Sequence, residues 1–449
     1  MITTRQLVLV LLVAVVPFWG QTNAQIDSPT ENTQSVPSQT PLLNQSSLAY
    51  SSELEHTNYV SGGVSLGATF DDNTLNRTAD RLSNFTYSFL PFVELDHSRS
   101  RLAWQLDYAG GFVLNQHVAV DNQASHDVGL RASYRLSPHV TLALRDHFFR
   151  TTGFYDQVNL KFTPPSGGLL EQSNQFVITP LARQVGNAAS AEVDYQFARD
   201  SRIGASGSFD LLHYRDVPIA ANLIDTQSVR GEVFYNHRVF SQNWFGITYR
   251  YDKISFSPLP ERALVNSLLL TDTVYLSPTM TLAVFAGPEQ ANERIWYPGG
   301  ARVASGLVHS KPLSLAAGAG FNWNGRRTGV LVQTSRLVSD GGGALGAVRL
   351  LSAEAAVRHQ WTRSISAQLG AAYGNNVPLS RANTPYLSLK MVSANFSLTR
   401  NLANALFITV GYSRAIQQEY QTAPGGPFEI NHNRAWATLS YDFSRPWGR

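Results

Sequence analysis

The chain of 449 residues reads as all-β: a transmembrane antiparallel β-barrel of about 18 strands (16–18), preceded by a signal peptide and a disordered leader. Three observations predict this. Apolar and polar residues alternate with period two from about residue 58 onward, as in strands with one face of each kind. The connections alternate between short turns and longer polar loops, the pattern of a barrel that spans a membrane. Tryptophans gather at the short turns, where a membrane interface would lie. Composition agrees: 15% of residues are charged, against roughly 25% in soluble proteins. The mean hydropathy of -0.15 excludes a bundle of membrane helices.

The first element is residues 1–24, a signal peptide. Arg5 precedes the apolar run Leu7 to Val16, and Thr22-Asn23-Ala24 offers small residues for cleavage after Ala24. The run is about half of the roughly 20 residues a spanning helix needs. Residues 25–57, rich in Ser, Thr, Gln, Asn and Pro, have too few large apolar side chains to offset ordering entropy and form a disordered periplasmic leader. Residues 58–449 are the barrel. Its strands centre near 65, 89, 107, 130, 144, 193, 207, 233, 248, 269, 283, 317, 332, 354, 369, 392, 409 and 439. The stretch Leu102, Trp104, Leu106, Tyr108 interleaved with Ala103, Gln105 and Asp107 is one example, and Ala191, Val193, Tyr195, Phe197 with Glu192, Asp194 and Gln196 another. Two stretches are irregular. Asp272 interrupts 261–276, and in 385–399 the apolar face switches between Met391 and Val392, where a β-bulge is expected.

Short turns fall at His97–Arg101, Ser137–His139, Arg199–Ser201, Phe240–Asn243, Ser277–Thr279, Asn324–Arg326, Gln360–Arg363 and Arg400–Ala403. Longer loops fall at 71–83, 115–125, 214–227, 288–310, 375–385 and 417–432. Trp104, Trp244, Trp323, Trp361 and Trp447 lie in or beside the short turns or after the last strand, which predicts an aromatic girdle at one rim. An even strand number puts both termini on the periplasmic side. These features predict a bacterial outer-membrane location.

Residues 58–449 resemble Gram-negative outer-membrane β-barrel proteins of porin-like architecture. The most specific part is the last strand, where Ala437, Leu439, Tyr441 and Phe443 are similar to the signal read by the barrel-assembly machinery, although Ser444–Arg449 extend beyond it. The phrases RLSPHVTL and YLSPTMTL look alike and read as repeated hairpin units. The resemblance implies the assembly machinery, outer-membrane lipid and lipopolysaccharide as partners.

Chemistry is sparse. A net charge of +3 gives no case for nucleic acid, and zero cysteines exclude disulfides, thiolate metal sites and thiol catalysis. Only Lys161, Lys253, Lys311 and Lys390 among the 35 basic residues are lysine. His126-Asp127 and Asp146-His147 are adjacent pairs, and adjacent strand residues point to opposite faces, so neither pair acts together. The histidines show no metal spacing, and no cofactor or metal is expected. Gly341-Gly342-Gly343 and Gly425-Gly426 read as tight loop-tip turns rather than phosphate cradles. The short leader offers no plug domain and no helical segment suits an efflux duct, so neither an energised transporter nor a trimeric efflux duct is expected, and with no catalytic pair no enzyme is expected either.

The lumen remains. Parity turns Arg131, Arg135, Arg145, Arg202, Arg230, Arg238 and Arg250 inward, interleaved with Asp107, Glu192, Asp194, Asp210, Glu232 and Asp252. Arginine suits such a wall because its fork pairs with carboxylates or with anionic solutes. Two readings stay open for these residues, a structural ladder of ion pairs and a selectivity lining. The favoured function is a passive pore for small hydrophilic solutes. The alternatives are an export pore for a polymer, or a non-conducting barrel acting as adhesin or assembly partner. The connection at 150–187 carries Phe154, Tyr155, Leu169, Phe176, Val177, Ile178 and Leu181, too many large apolar groups for a hydrated loop. By position it resembles the inward constriction loop of general porins. The alternative is a projecting hairpin that prolongs its two strands.

Overall fold

The computed structural model describes residues 58–78, 80–117, 123–151, 176–179, 182–215, 223–258, 261–297, 306–343, 346–379, 388–420 and 428–446. The signal peptide, the leader, Trp447, Gly425-Gly426 and residues 152–175 lie outside them. The strands are β1 (Tyr59–Asp71), β2 (Asn84–Ser98), β3 (Leu102–Asn115), β4 (Gln123–Arg135), β5 (Val140–Thr151), β6 (Arg183–Ala198), β7 (Ser201–Arg215), β8 (Asp225–Phe240), β9 (Asn243–Ser257) and β10 (Glu261–Ser277). They continue as β11 (Met280–Tyr297), β12 (Gly306–Ser310), β13 (Leu313–Asn324), β14 (Thr328–Ser339), β15 (Val348–Gln360), β16 (Ile365–Pro378), β17 (Ser388–Ala403), β18 (Leu406–Tyr420) and β19 (Phe428–Pro446).

Neighbours in sequence pair antiparallel, and β1 closes the sheet on β19 from Tyr59↔Pro446 to Asp71↔Arg434. β12 and β13 both pair with β11 in one continuous register, so they are halves of a single stave interrupted at Lys311-Pro312. Pro312 has no N–H to give the ladder, yet its carbonyl still accepts from the Ala291 N–H at 3.1 Å. The result is a closed barrel of 18 staves. Among the described residues no helix is long and apolar enough to cross a membrane.

Closure leaves the sheet without an edge strand, which is what a hydrocarbon environment demands of strands. The alternation is legible in single triplets. On β10, Leu268 and Leu270 are 46% and 52% exposed on the outside, while Leu269 between them is 0% exposed inside. Leu66, Leu144, Val193, Val233, Tyr249, Leu369 and Leu439 share the outward face.

Four expectations are corrected. The loop expected at 288–310 is strand as far as Tyr297. No bulge sits at Met391/Val392; the irregularity between β17 and β18 lies at Asn401/Ala403. Met391 faces inward in regular register and is apolar because Ile178 covers it from the lumen. Trp244 belongs to no outward girdle: its register with Arg238 and Thr273 turns it inside, where its ring lies 5.2 Å beneath the Arg202 guanidinium. Asp272 leaves β10 unbroken and faces outward beside Phe245 and Val284.

Candidate functional site

The interior wall is the candidate site. On β6–β9 it holds a cluster of buried charges. Asp194 meets Arg202 at 3.4 Å. Asp252 is held between two arginines, accepting from Arg230 Nε at 2.8 Å and from Arg250 Nε at 2.7 Å. Arg250 also approaches Glu232 at 3.8 Å. Arg202, Arg250, Asp194, Glu232 and Asp252 are all nearly inaccessible. Charges withdrawn this far from water persist only when paired and hydrogen-bonded, and the antiparallel register supplies the pairing, with Arg230↔Asp252 and Glu232↔Arg250 directly opposite.

Beside this cluster the wall is more open. Arg145, Glu192, Ser208, Arg230 and Glu232 line a small recess in this wall. Arg131 stands directly opposite Arg145 and donates to Gln105 Oε1 at 3.4 Å, while Gln105 donates to Glu94. Arg135, opposite Thr141, is exposed. Asp107 spreads its carboxylate over Gly129, where any Cβ would lie 2.6 Å from it. Asp210 sits in register with Ala188 and Ser228. Arg238, near a short turn, donates to the Ser241 carbonyl at 2.6 Å and approaches Asp200 at 3.8 Å. The two adjacent His/Asp pairs make no contact of their own; instead His147 Nε2 meets Asp127 Oδ2 across β4 and β5 at 3.1 Å. Sequence spacing concealed this, because the two residues are brought together only by register. Asp146 faces outward and accepts from Asn187 at 2.9 Å.

On β16–β18 the wall is neutral below Gln417, where Ser366, Gln368, Asn395, Ser397, Thr399, Thr409 and Ser413 face inward; Asn376, one inward position above Gly374, stands at the level of Leu389 and Glu419. Hydroxyl pairs bridge strands here and at the seam, with Thr399 and Thr409 at 3.0 Å and Ser65 and Ser440 at 2.8 Å.

The outer end of the lumen is crossed by chain. Phe176, Val177 and Ile178, which belong to the connection between β5 and β6, are 2–3% exposed. They rest on the neutral wall. Ile178 N–H donates to Gln417 Oε1 at 2.6 Å, and Gln417 Nε2 returns a bond to the Ile178 carbonyl at 3.2 Å. Asn376 Nδ2 donates to the Phe176 carbonyl at 3.2 Å. Val177 packs on Val348 and Leu389, and Ile178 on Met391 and Ala415. Gly374 is required beneath, since a Cβ there would come within 2.5 Å of Phe176. The described part of this connection therefore folds inward rather than prolonging a hairpin. Asn76, from the first outer loop, clamps it by donating to the Thr179 carbonyl at 2.7 Å, and His432 holds Asn76 at 2.9 Å.

A second inward segment escaped sequence reasoning. Gly341, Gly342 and Gly343, with φ of 69°, 64° and 72°, do form a tight turn, but a buried one. Tyr214 donates its hydroxyl to the Gly342 carbonyl at 2.9 Å, and Ile224 N–H bonds the Gly343 carbonyl at 2.7 Å. Glu289 fixes the approach by accepting from Val338 N–H at 3.3 Å. This segment crosses from β14 towards β7 and β8, opposite in direction to the first. Its only sequence signal is the triple glycine, which is equally at home at a solvent tip.

Comparison of the sequence with protein-family models and with curated proteins finds no match. Among solved structures, the chain is similar to Pseudomonas aeruginosa OccK2, with a TM-score of 0.43 and 10% identity over 87% of this chain and 98% of that one. It is similar to Acinetobacter baumannii OccAB2, with a TM-score of 0.42 and 11% identity over 86% and 98%. It is similar also to the siderophore receptor PiuA from Acinetobacter baumannii, with a TM-score of 0.44 and 6% identity over 86% and 82%. The protein is a closed antiparallel barrel with an apolar outer face, a polar inner wall and two chain segments laid across one end of its lumen.

Proposed function

We propose that this protein is an outer-membrane barrel, exported by its N-terminal signal, that passes small hydrophilic solutes through a lumen narrowed at its outer end. One observation carries the reading: a neutral wall of hydroxyl and amide groups runs beneath an inward-folded segment that is tied to that wall through Asn376 and Gln417. Such a wall offers passing solutes many weak, exchangeable hydrogen bonds, whereas Asp252 and its two arginines are engaged with one another. The reading needs no catalytic group and no cofactor. Its test is conductance of the refolded full chain in planar bilayers. Discrete steps are expected, with a modest anion preference in asymmetric KCl, because the arginines are interleaved with acids. Absence of steps overturns the pore in favour of a non-conducting structural barrel, a reading favoured by the tight apolar packing of Phe176, Val177 and Ile178 across the mouth.

A further inference from the structure

The outward wall holds a feature the pore does not use. On β10 and β11, Arg262 and Arg294 stand directly opposite one another, and His309 on β12 is opposite Arg294. Ser255 faces Arg262 from β9, with Lys253 the next outward position on that strand. The adjacent outward pair on β10 and β11 is Leu264 and Asn292, so no carboxylate shares this patch. Glu293, the nearest acid on β11, is turned inside and buried. On the same wall Arg183 of β6 is directly opposite Arg215 of β7, and Arg150 of β5 is opposite Val185, one outward position away from Arg183. Like charges directly opposed across strands destabilise a sheet. Two such pairs, each with a further cation beside it, make sense when an anion is part of the wall.

Depth identifies the anion. Below Arg262 the outward positions on β10 are Leu264, Asn266, Leu268 and Leu270, and Asn266 accepts from the exposed Tyr249 hydroxyl at 2.8 Å. A polar tyrosine tip above a run of exposed leucines marks the edge of an apolar band. Arg262 stands four residues higher, about 10 Å at the usual strand rise and tilt. Both arginine pairs lie at the long-loop ends of their strands, the side that meets the outer leaflet. A guanidinium fork binds phosphate bidentately, and paired forks suit closely spaced phosphates.

We propose that Lys253, Arg262, Arg294 and His309 form a binding site for the phosphate groups of an outer-leaflet glycolipid, with Arg150, Arg183 and Arg215 as a second such site on the same wall. This rests on the outer-membrane reading above. The full chain would be refolded into phosphatidylcholine vesicles, alone, with bis-phosphorylated lipid A, or with phosphatidylglycerol at equal charge. Retained lipid would be counted by native mass spectrometry after gentle extraction, and thermal unfolding followed in parallel. The wild type is expected to retain lipid A in preference to phosphatidylglycerol. R262Q/R294Q should lose about thirtyfold in lipid A affinity, R183Q/R215Q should lose a comparable amount, and Arg400→Gln, outward near a short turn, should lose nothing. Stability should cross over: without lipid A, R262Q/R294Q melts above the wild type because repulsion is relieved, and with lipid A it melts below. Equal lipid A retention by wild type and variants, or equal retention of phosphatidylglycerol, overturns the site while the barrel stands. Failure of every form to enter any vesicle overturns the membrane reading itself.

Discussion

The inward face of β6–β9 holds a cluster of arginines, aspartates and glutamates almost closed to solvent, whereas that of β16–β18 below Gln417 carries no charge, only serines, threonines, asparagines and glutamines among small and apolar residues. The two arcs obey one alternation and one strand geometry, yet their polar groups serve different ends. Asp252 has both oxygens engaged by arginines of its own wall. Asn376 and Gln417 reach instead for the backbone of a segment lying in the lumen. A charged inner wall is therefore no guide to where a solute meets the protein. The charges of this barrel are chiefly its own counter-ions, and the neutral arc is the surface that receives something from the lumen.

The largest test of this contrast removes one member of the sealed arc. Asp252→Ala leaves Arg230 and Arg250 without their shared carboxylate and should cost about 3–5 kcal/mol, read by urea unfolding in lipid vesicles. Thr409→Val on the neutral arc removes the hydroxyl contact with Thr399 and should cost about 0.5–1.5 kcal/mol. Equal losses would erase the distinction between the arcs. A second comparison sets inside against outside. Leu130→Arg on the apolar face should cost about 2–4 kcal/mol. Gln368→Ser on the neutral arc should stay within about 0.5 kcal/mol, and the reverse order would mean that the faces are exchanged. A third test, at about 1 kcal/mol per lost bond, is Asn376→Ala with Gln417→Ala. This double change should nonetheless raise single-channel conductance, because it frees Phe176–Thr179 from the wall. Unchanged conductance would show that the segment does not restrict flow.

Much of the fold was legible in sequence, because a two-residue period is a local property and a barrel repeats it on every stave. Leu106, Val193 and Leu369 announce their face through their neighbours alone. The site was legible only by sign. Parity placed Arg202, Arg250 and Asp252 together on a face, but which arginine meets which acid depends on register between strands, and register is fixed by pairing of distant segments. The same gap hid the contact of His147 with Asp127. Met391 shows the converse failure. Its apolar side chain on an inward position looked like a slipped face, because the strand alone could not reveal that Ile178 lies over it. Phe176, Val177 and Ile178 announced that they needed cover, and only the fold could name β16–β18 as providing it.

The seam between β1 and β19 joins residues such as Ser65 and Ser440, 375 positions apart, while nearly every other pairing joins neighbours in the chain. Hairpins of this kind form locally and early, but ring closure must wait until the last stave is present, and its loop-closure entropy is the greatest in the molecule. Until then two bare edges remain open to any passing strand. The slow event in biogenesis should thus be a single zippering of β1 onto β19, and a chain halted before it is an aggregation seed rather than a smaller barrel. Once zipped, the circle has no first strand to peel, so unfolding must reopen that ladder or tear another, and the molecule's persistence becomes a matter of rate as much as of equilibrium.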